Sequence, residues 1–338
     1  MPSEPARSSK AAGSVGADGS SGSSGPVASR PSRLLFVHAH PDDESLTCGI
    51  AMAHHVARGD EVHVLTCTLG EEGEVIPPAL ASLEASPDDA LGPHRHAELA
   101  EALRRVGATM HVLGAGPDRL SRYRDSGMVG SAAAARPEAF TAADLDEAAG
   151  LVVELIARVR PDVVVTYDEH GGYGHPDHVQ THRVTRRALQ LMPDHLLPSR
   201  AYEILTPESW AYEDRAWLRS ADPAAYRSEQ WWREHARRRD ASGEQPWPLV
   251  LPGDDDPYPP SVVADALVTH VVHDDAARAV KNDALRAHVT QVLVVSDDVH
   301  ALSNLVATRT TAREGFRRIE PRTWQPVSVP ERQTSLLD

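Results

Sequence analysis

Two short segments of this 338-residue chain carry histidine and carboxylate side chains at spacings that suit a metal ion. His40-Pro41-Asp42-Asp43-Glu44 directly follows the apolar run Leu34-Leu35-Phe36-Val37, and His175-Pro176-Asp177-His178 lies far downstream. A hydrolytic metal centre needs three protein ligands, an open position for water, a base and an acid. The two segments offer two imidazoles and a carboxylate for one ion, with a further carboxylate and imidazole beside it.

Those groups can act together only if the fold brings them to one place. Residues 34–37 read as a strand buried on both faces, followed by a helix over 46–58 that Gly59 ends. Further strands are expected at 61–66, 111–113, 162–166, 201–205 and 268–272, and helices at 94–106, 141–159, 176–191 and 274–292. In the helix expected over 141–159 Leu145, Ala148, Val152, Leu155, Ile156 and Val159 form an apolar stripe. This rhythm predicts an α/β fold, a Rossmann-like and mostly parallel sheet flanked by helices, with a smaller C-terminal cap region. Both histidine segments follow strands, the second after the loop 167–174, in which Gly171, Gly172 and Gly174 permit a tight bend. Open α/β sheets place their ligand crevice beyond the carboxyl ends of the strands, so the segments are expected to meet there.

Residues 1–31, rich in Ser, Gly, Ala and Pro, are expected to be a disordered tail. Residues 32–330 are expected to form a single domain, with 207–260 a divergent cap or insertion containing Trp210, Trp217, Trp231, Trp232 and Trp247. The last ten or so residues read as frayed. Hydrophobic residues at 41% supply enough apolar material for a substantial core, and a net charge of −15 disfavours a nucleic-acid partner. Cys48 and Cys67 cannot build a disulfide framework and read as small buried hydrophobes. No stretch is apolar enough for a membrane span and the N-terminus has no signal-peptide core, so a soluble, cytoplasmic protein is expected.

Blander readings stand beside the chemical one. An isolated histidine is usually packed or solvated, which covers His54, His55, His63 and His111. Asp42 or Asp43 could cap a helix N-terminus, but that leaves residues 175–178 without explanation. Glu44 reads either as support for a metal site or as a helix N-terminal charge.

Ala39-His40-Pro41-Asp42-Asp43-Glu44 and His175-Pro176-Asp177-His178 resemble the two signatures of the LmbE-like, or PIG-L, family of zinc-dependent N-acetylglucosamine deacetylases. Longer stretches at 33–46, 64–75, 124–128, 164–168 and 171–179 look most like the branch of mycothiol biosynthesis, which acts on N-acetyl-glucosaminyl-inositol. The resemblance implies an LmbE-like fold and one Zn2+ per subunit held by His40, Asp43 and His178, a donor set that also admits Fe2+ or cobalt. It implies Asp42 as general base, a protonated His175 near the leaving nitrogen or the oxyanion, and Tyr173 at the oxyanion. Asp177 either fixes the charge state of His175 or caps the helix. Arg95, Asp125 and Glu74 would bind the hydroxyls of a small amino-sugar inositol substrate, whereas without the resemblance they read as solvated loop charges.

Mycothiol S-conjugate amidases share both signatures, and another N-acetylglucosaminide is a further alternative substrate. The loops at 69–74 and 124–128 favour the deacetylase. A non-catalytic nucleotide-binding module would need a glycine-rich turn after the first strand, where this chain has His-Pro-Asp-Asp.

Overall fold

The first strand, β1 (Arg33–His38), is apolar from Leu34 to Val37 because both its faces are covered. It leads into α1 (Asp43–Ala57), β2 (Glu61–Thr66), α2 (Leu91–Val106) and β3 (Thr109–Val112). Then follow α3 (Leu145–Val159), β4 (Val163–Tyr167), the single turn α4 (Gly171–Gly174), α5 (Pro176–Leu191), β5 (Arg200–Pro207) and α6 (Glu208–Ser220). The remainder comprises β6 (Val262–Val263), β7 (His270–His273), α7 (Ala277–Leu285), β8 (Leu293–Val294), β9 (Val299–Ala301), β10 (Thr308–Arg309) and β11 (Arg313–Ile319). This computed structural model describes residues 30–84, 86, 88–221, 249–253 and 255–338. These elements all belong to the unit Pro31–Asp338.

The main sheet runs β3-β2-β1-β4-β5-β11-β7, with β6 added beside β5. From β3 to β5 the pairings are parallel, and β11 is antiparallel to both β5 and β7. Alternation along each strand divides the core. Leu34, Phe36, Val62, Val64, Val163 and Val165 pack under α1, α2 and α7, while Leu35, Val37, Leu65 and Val164 pack against α3 and α5. The strand order reverses between β1 and β4, and the crevice beyond their carboxyl ends receives His40 from one side and the α4–α5 segment from the other. The α/β fold with its mostly parallel sheet is therefore as the sequence predicts.

Boundaries differ where local hydrogen bonding overrides periodicity. The helix expected from 141 begins at Leu145, because the Asp144 carboxylate caps the amides of Asp146 and Glu147. The helix expected over 274–292 occupies only Ala277–Leu285. Asp274 takes the amides of Ala276 and Ala277 at its start, and Glu98 draws away the amide and hydroxyl of Thr290 beyond its end (2.8 and 2.7 Å). Strand β11 was not expected, since Arg313-Glu-Gly-Phe-Arg-Arg-Ile319 reads as a charged run.

The expectation of a frayed C-terminus is corrected. Gln333 exchanges backbone hydrogen bonds with Thr269 and Val271, and Leu336 is fully buried with its carbonyl bound by the Tyr202 hydroxyl at 3.0 Å. The packed unit thus extends past the expected boundary at 330 to Asp338. The tail 1–29 and Trp231, Trp232 and Trp247 lie outside the described residues. Cys48 and Cys67 are buried and free, and burial pushes the Cys67 thiol up to about 12. Among the described residues no helix is long and apolar enough to cross a membrane.

Candidate metal centre and active site

Beyond β1 the chain turns sharply through His40-Pro41-Asp42 before α1 begins at Asp43. Asp42 has φ 116° and ψ −34°, a backbone conformation that costs a non-glycine residue roughly 1–3 kcal/mol. It stands at the helix N-cap, yet its side chain makes no capping bond. Its amide donates to Glu44 Oε2 (3.0 Å), and its carbonyl accepts from Ser45 and Leu46 (3.0 and 2.9 Å). The Asp43 carboxylate accepts the His40 amide at 2.9 Å. The turn therefore leaves the Asp42 carboxylate clear of the helix and fixes Asp43 beside His40.

The second segment enters through α4. Gly171 has φ 65°, and a Cβ there would meet the Val179 amide nitrogen at 2.6 Å and the His178 Cβ at 2.8 Å. Only glycine lets this turn close onto α5. Asp168 secures it by accepting the Gly172 amide at 2.7 Å. His175 then caps α5, its Nδ1 accepting the Asp177 amide at 3.2 Å.

Together these turns bring His40 Nδ1, His178 Nε2 and Asp43 Oδ2 to within hydrogen-bonding range of one another. The separations are 3.3 Å for His40–His178, 3.3 Å for His178–Asp43 and 3.5 Å for His40–Asp43. Tetrahedral ligands about 2.0–2.1 Å from a zinc ion lie roughly 3.3–3.4 Å apart, so this triangle fits such an ion. The three rings His40, His175 and His178 also form a close group able to hold a metal, as do His40, Asp125 and Asp177. All of these residues are buried.

The other ring nitrogen of His40 faces carboxylates. Nε2 lies 3.3 Å from Asp177 Oδ2 and 3.5 Å from Asp125 Oδ1, an arrangement that orients an imidazole ligand and raises its basicity. Burial alone would lower the pKa of His40, but Asp125, Asp177 and Asp43 outweigh it and hold it well above the usual value. For Asp43 burial acts upward, and His178 and His40 overcome it to keep the carboxylate ionised. The pocket is thus built to enclose positive charge, whether a proton or a cation supplies it.

Asp42 is different. Burial is the largest influence and raises its pKa to about 7; Asp43 pushes the same way, while Arg95 opposes them. Such a carboxyl can accept and return a proton near neutral pH. For His175, burial followed by the charge of His40 and His178 lowers the pKa to about 3. With Nδ1 accepting from Asp177, its proton sits on Nε2 as a free donor.

Several expected roles change on inspection. Arg95 is buried and uses its guanidinium inside the protein, donating to the carbonyls of Gly70 and Pro41 (both 2.6 Å) and to Asp42 Oδ2 (3.2 Å). A Cβ at Gly70 would lie 2.0 Å from Arg95 Nη1, so that residue must be glycine for Arg95 to reach Asp42. Asp177 neither caps α5 nor pairs with His175; it accepts from Ser126 N at 2.9 Å and faces His40. Asp125 accepts the amides of Gly127 and Glu72 (2.8 and 3.2 Å) besides facing His40. Glu74 is exposed, and its carbonyl accepts from Gln291 at 3.1 Å. Tyr173, 55% exposed, stands with its ring edge-on to His178, 5.0 Å between centroids.

Tyr167 was not foreseen. Its ring stacks on His178 with centroids 4.3 Å apart, and its hydroxyl accepts the Ala39 amide at 3.0 Å, tying the two histidine segments together. Its position at the carboxyl end of β4, equivalent to that of His38 on β1, was the available signal. Glu44 and His288 form a buried pair at 2.9 Å behind Asp42.

A family model described as PIG-L: GlcNAc-PI de-N-acetylase matches residues 35–189, the span that supplies both histidine segments. The 1D-myo-inositol 2-acetamido-2-deoxy-alpha-D-glucopyranoside deacetylase of Streptomyces avermitilis is 44% identical over 314 residues, covering 90% of this chain and 96% of that protein. The enzyme of the same name from Streptomyces griseus is 46% identical over 274 residues, covering 80% of this chain and 78% of its own. Among solved structures, the zinc-inhibited form of a teicoplanin deacetylase aligns with a TM-score of 0.45 and 18% identity, over 86% of this chain and 99% of that one. By these matches, at 44% and 46% identity over 96% and 78% of the relatives' lengths, the chain belongs to the PIG-L family of de-N-acetylases.

Proposed function

We propose that the protein hydrolyses the N-acetyl group of 1D-myo-inositol 2-acetamido-2-deoxy-alpha-D-glucopyranoside, releasing acetate and glucosaminyl-inositol for mycothiol biosynthesis in the cytoplasm. The observation that carries the hydrolytic reading is the triangle of His40, Asp43 and His178 with Asp42 beside it. The substrate assignment is supported by relatives of that name at 41–46% identity.

His40 Nδ1, Asp43 Oδ2 and His178 Nε2 would hold one divalent ion, zinc by the donor set. Bound there, it would polarise the amide carbonyl and lower the pKa of water. Asp42, its ionised form favoured by Arg95, takes a proton as the water oxygen bonds to the amide carbon. The carbon–nitrogen bond then breaks, and the sugar nitrogen leaves with the proton that Asp42 returns. The acetyl group departs as acetic acid, which ionises. His175 Nε2–H and the Tyr173 hydroxyl serve as donors where negative charge grows on the carbonyl oxygen. Asp125 and Asp177 keep the His40 ring turned toward the ion. Glu74, exposed at the rim, is the group of the original three left free to meet substrate hydroxyls through its side chain.

Acetate release should be measured on the inositol substrate and on a panel of N-acetylglucosaminides, and amide cleavage on a mycothiol S-conjugate. Activity should vanish on chelation and return with zinc or another divalent ion. A metal-free preparation that remains fully active would defeat the metal assignment, and cleavage of the conjugate alone would defeat the substrate assignment.

A further inference from the structure

The proposed general base sits on a strained residue, and the carboxylate that holds its amide is met by a histidine from outside both histidine segments. Asp42 has φ 116°, and its amide is held by Glu44 Oε2 at 3.0 Å. The second carboxylate oxygen of Glu44 accepts from Ser45 Oγ at 2.6 Å and lies 2.9 Å from His288 Nε2. Glu44 and His288 are both fully buried. His288 has no partner for Nδ1 among the described residues, and its Nε2 lies 3.5 Å from Ser45 Oγ, so its shortest contact is the one to Glu44. A buried imidazole with an unsatisfied nitrogen is a poor space-filler, which makes that contact the reason for a histidine here.

The backbone around His288 is itself fixed. Its amide donates to Leu285 O, and its carbonyl accepts from Gln291 and Val292 (3.1, 3.1 and 2.8 Å). The turn after α7 therefore presents the ring to Glu44 from a rigid support.

We propose that Glu44 and His288 form a positioning pair for Asp42: His288 orients the Glu44 carboxylate, which holds the Asp42 amide in its positive-φ conformation and so aims the Asp42 carboxylate at the reacting water. The proposal rests on Asp42 being the base of the deacetylation proposed above. No hydrogen bond joins His288 to the three candidate ligands, so it acts at Asp42 and not at the metal site.

Kinetics, metal content and amide exchange should be measured on the metal-loaded full chain as wild type, His288→Leu and His288→Gln. His288→Leu removes the donor to Glu44, whereas the Gln amide can reach the place of Nε2. We expect His288→Leu to lower kcat by up to ~10²-fold, as small misplacements of catalytic groups do, with KM within about twofold and metal content unchanged. His288→Gln should restore much of the loss. The Asp42 amide should exchange slowly in wild type by NMR and faster in His288→Leu, without change at neighbouring amides of β1. Full kcat, or unaltered Asp42 exchange, in folded and metal-loaded His288→Leu would overturn the proposal; so would loss of the metal together with kcat. Should His288→Leu not fold, Glu44→Ala replaces it: removal of the carboxylate should speed exchange at Asp42 and lower kcat with metal content unchanged, and unaltered exchange would overturn the pairing. A wild-type enzyme inactive on every N-acetylglucosaminide would instead sink the functional reading, while the exchange measurement would still decide the role of the pair.

Discussion

At the scale of single residues, adjacent carboxylates are separated by their surroundings into different jobs. Asp43 faces two imidazoles and stays ionised; Asp42 faces Arg95 from a buried position and rises to about 7. Because a base must be deprotonated to act, activity should fall as pH drops through the Asp42 pKa. A bound cation favours the ionised form, so in the loaded enzyme that acidic limb lies at or below about 7. Arg95 acts in the same sense, and Arg95→Gln should therefore move the limb of kcat/KM to higher pH; a limb that stays in place would refute the assignment of Arg95 to Asp42. His175→Ala should reduce kcat by about 10²–10³ through loss of one donor to the developing charge. If Asp42 sets the acidic limb, removal of His175 should leave that limb where it was, and its disappearance would show that His175 and not Asp42 sets it.

At the scale of elements, the position of α1 decides where both carboxylates stand. In mid-helix the Ile50 and Ala51 amides donate to the Glu314 carboxylate (3.0 and 2.9 Å), while Lys281 Nζ donates to Leu46 O and Glu314 Oε1, both at 2.8 Å. The buried Lys281–Glu314 pair thus clamps α1 to β11 and α7, and this explains why a polar run forms a central strand. Removing one partner of a buried pair leaves the other charge uncompensated, so Lys281→Met should destabilise the fold by about 3–5 kcal/mol in denaturant unfolding. A loss no greater than that of a surface substitution would indicate that the clamp carries little.

At the scale of the whole molecule, the C-terminal residues close the far edge of the sheet. Deleting residues 333–338 would remove the Gln333 bonds to β7, the Tyr202–Leu336 bond and the burial of Leu336. Burial of one leucine contributes about 1.5–3 kcal/mol, so a drop in thermal midpoint of at least that equivalent is expected. An unchanged midpoint would restore the view of a frayed end.

The sequence by itself determined the chemistry and the frame. The apolar strands flanking 34–37 and 162–166 dictate a parallel sheet, and the two histidine segments lie at the strand ends where such sheets bind ligands. Periodicity and strand-end placement are local properties, so they are legible without coordinates. Tertiary structure decided which oxygen faces which nitrogen. Arg95, expected at the substrate, turned inward because Pro41 and Gly70 present carbonyls to it; Asp125 and Asp177 met across His40 although 52 and 137 residues separate Asp177 from Asp125 and His40. Strand β11 and the Glu44–His288 pair escaped notice for the same reason. A buried polar side chain is stable only through partners that are remote in the chain, and those partners exist only once the chain has folded.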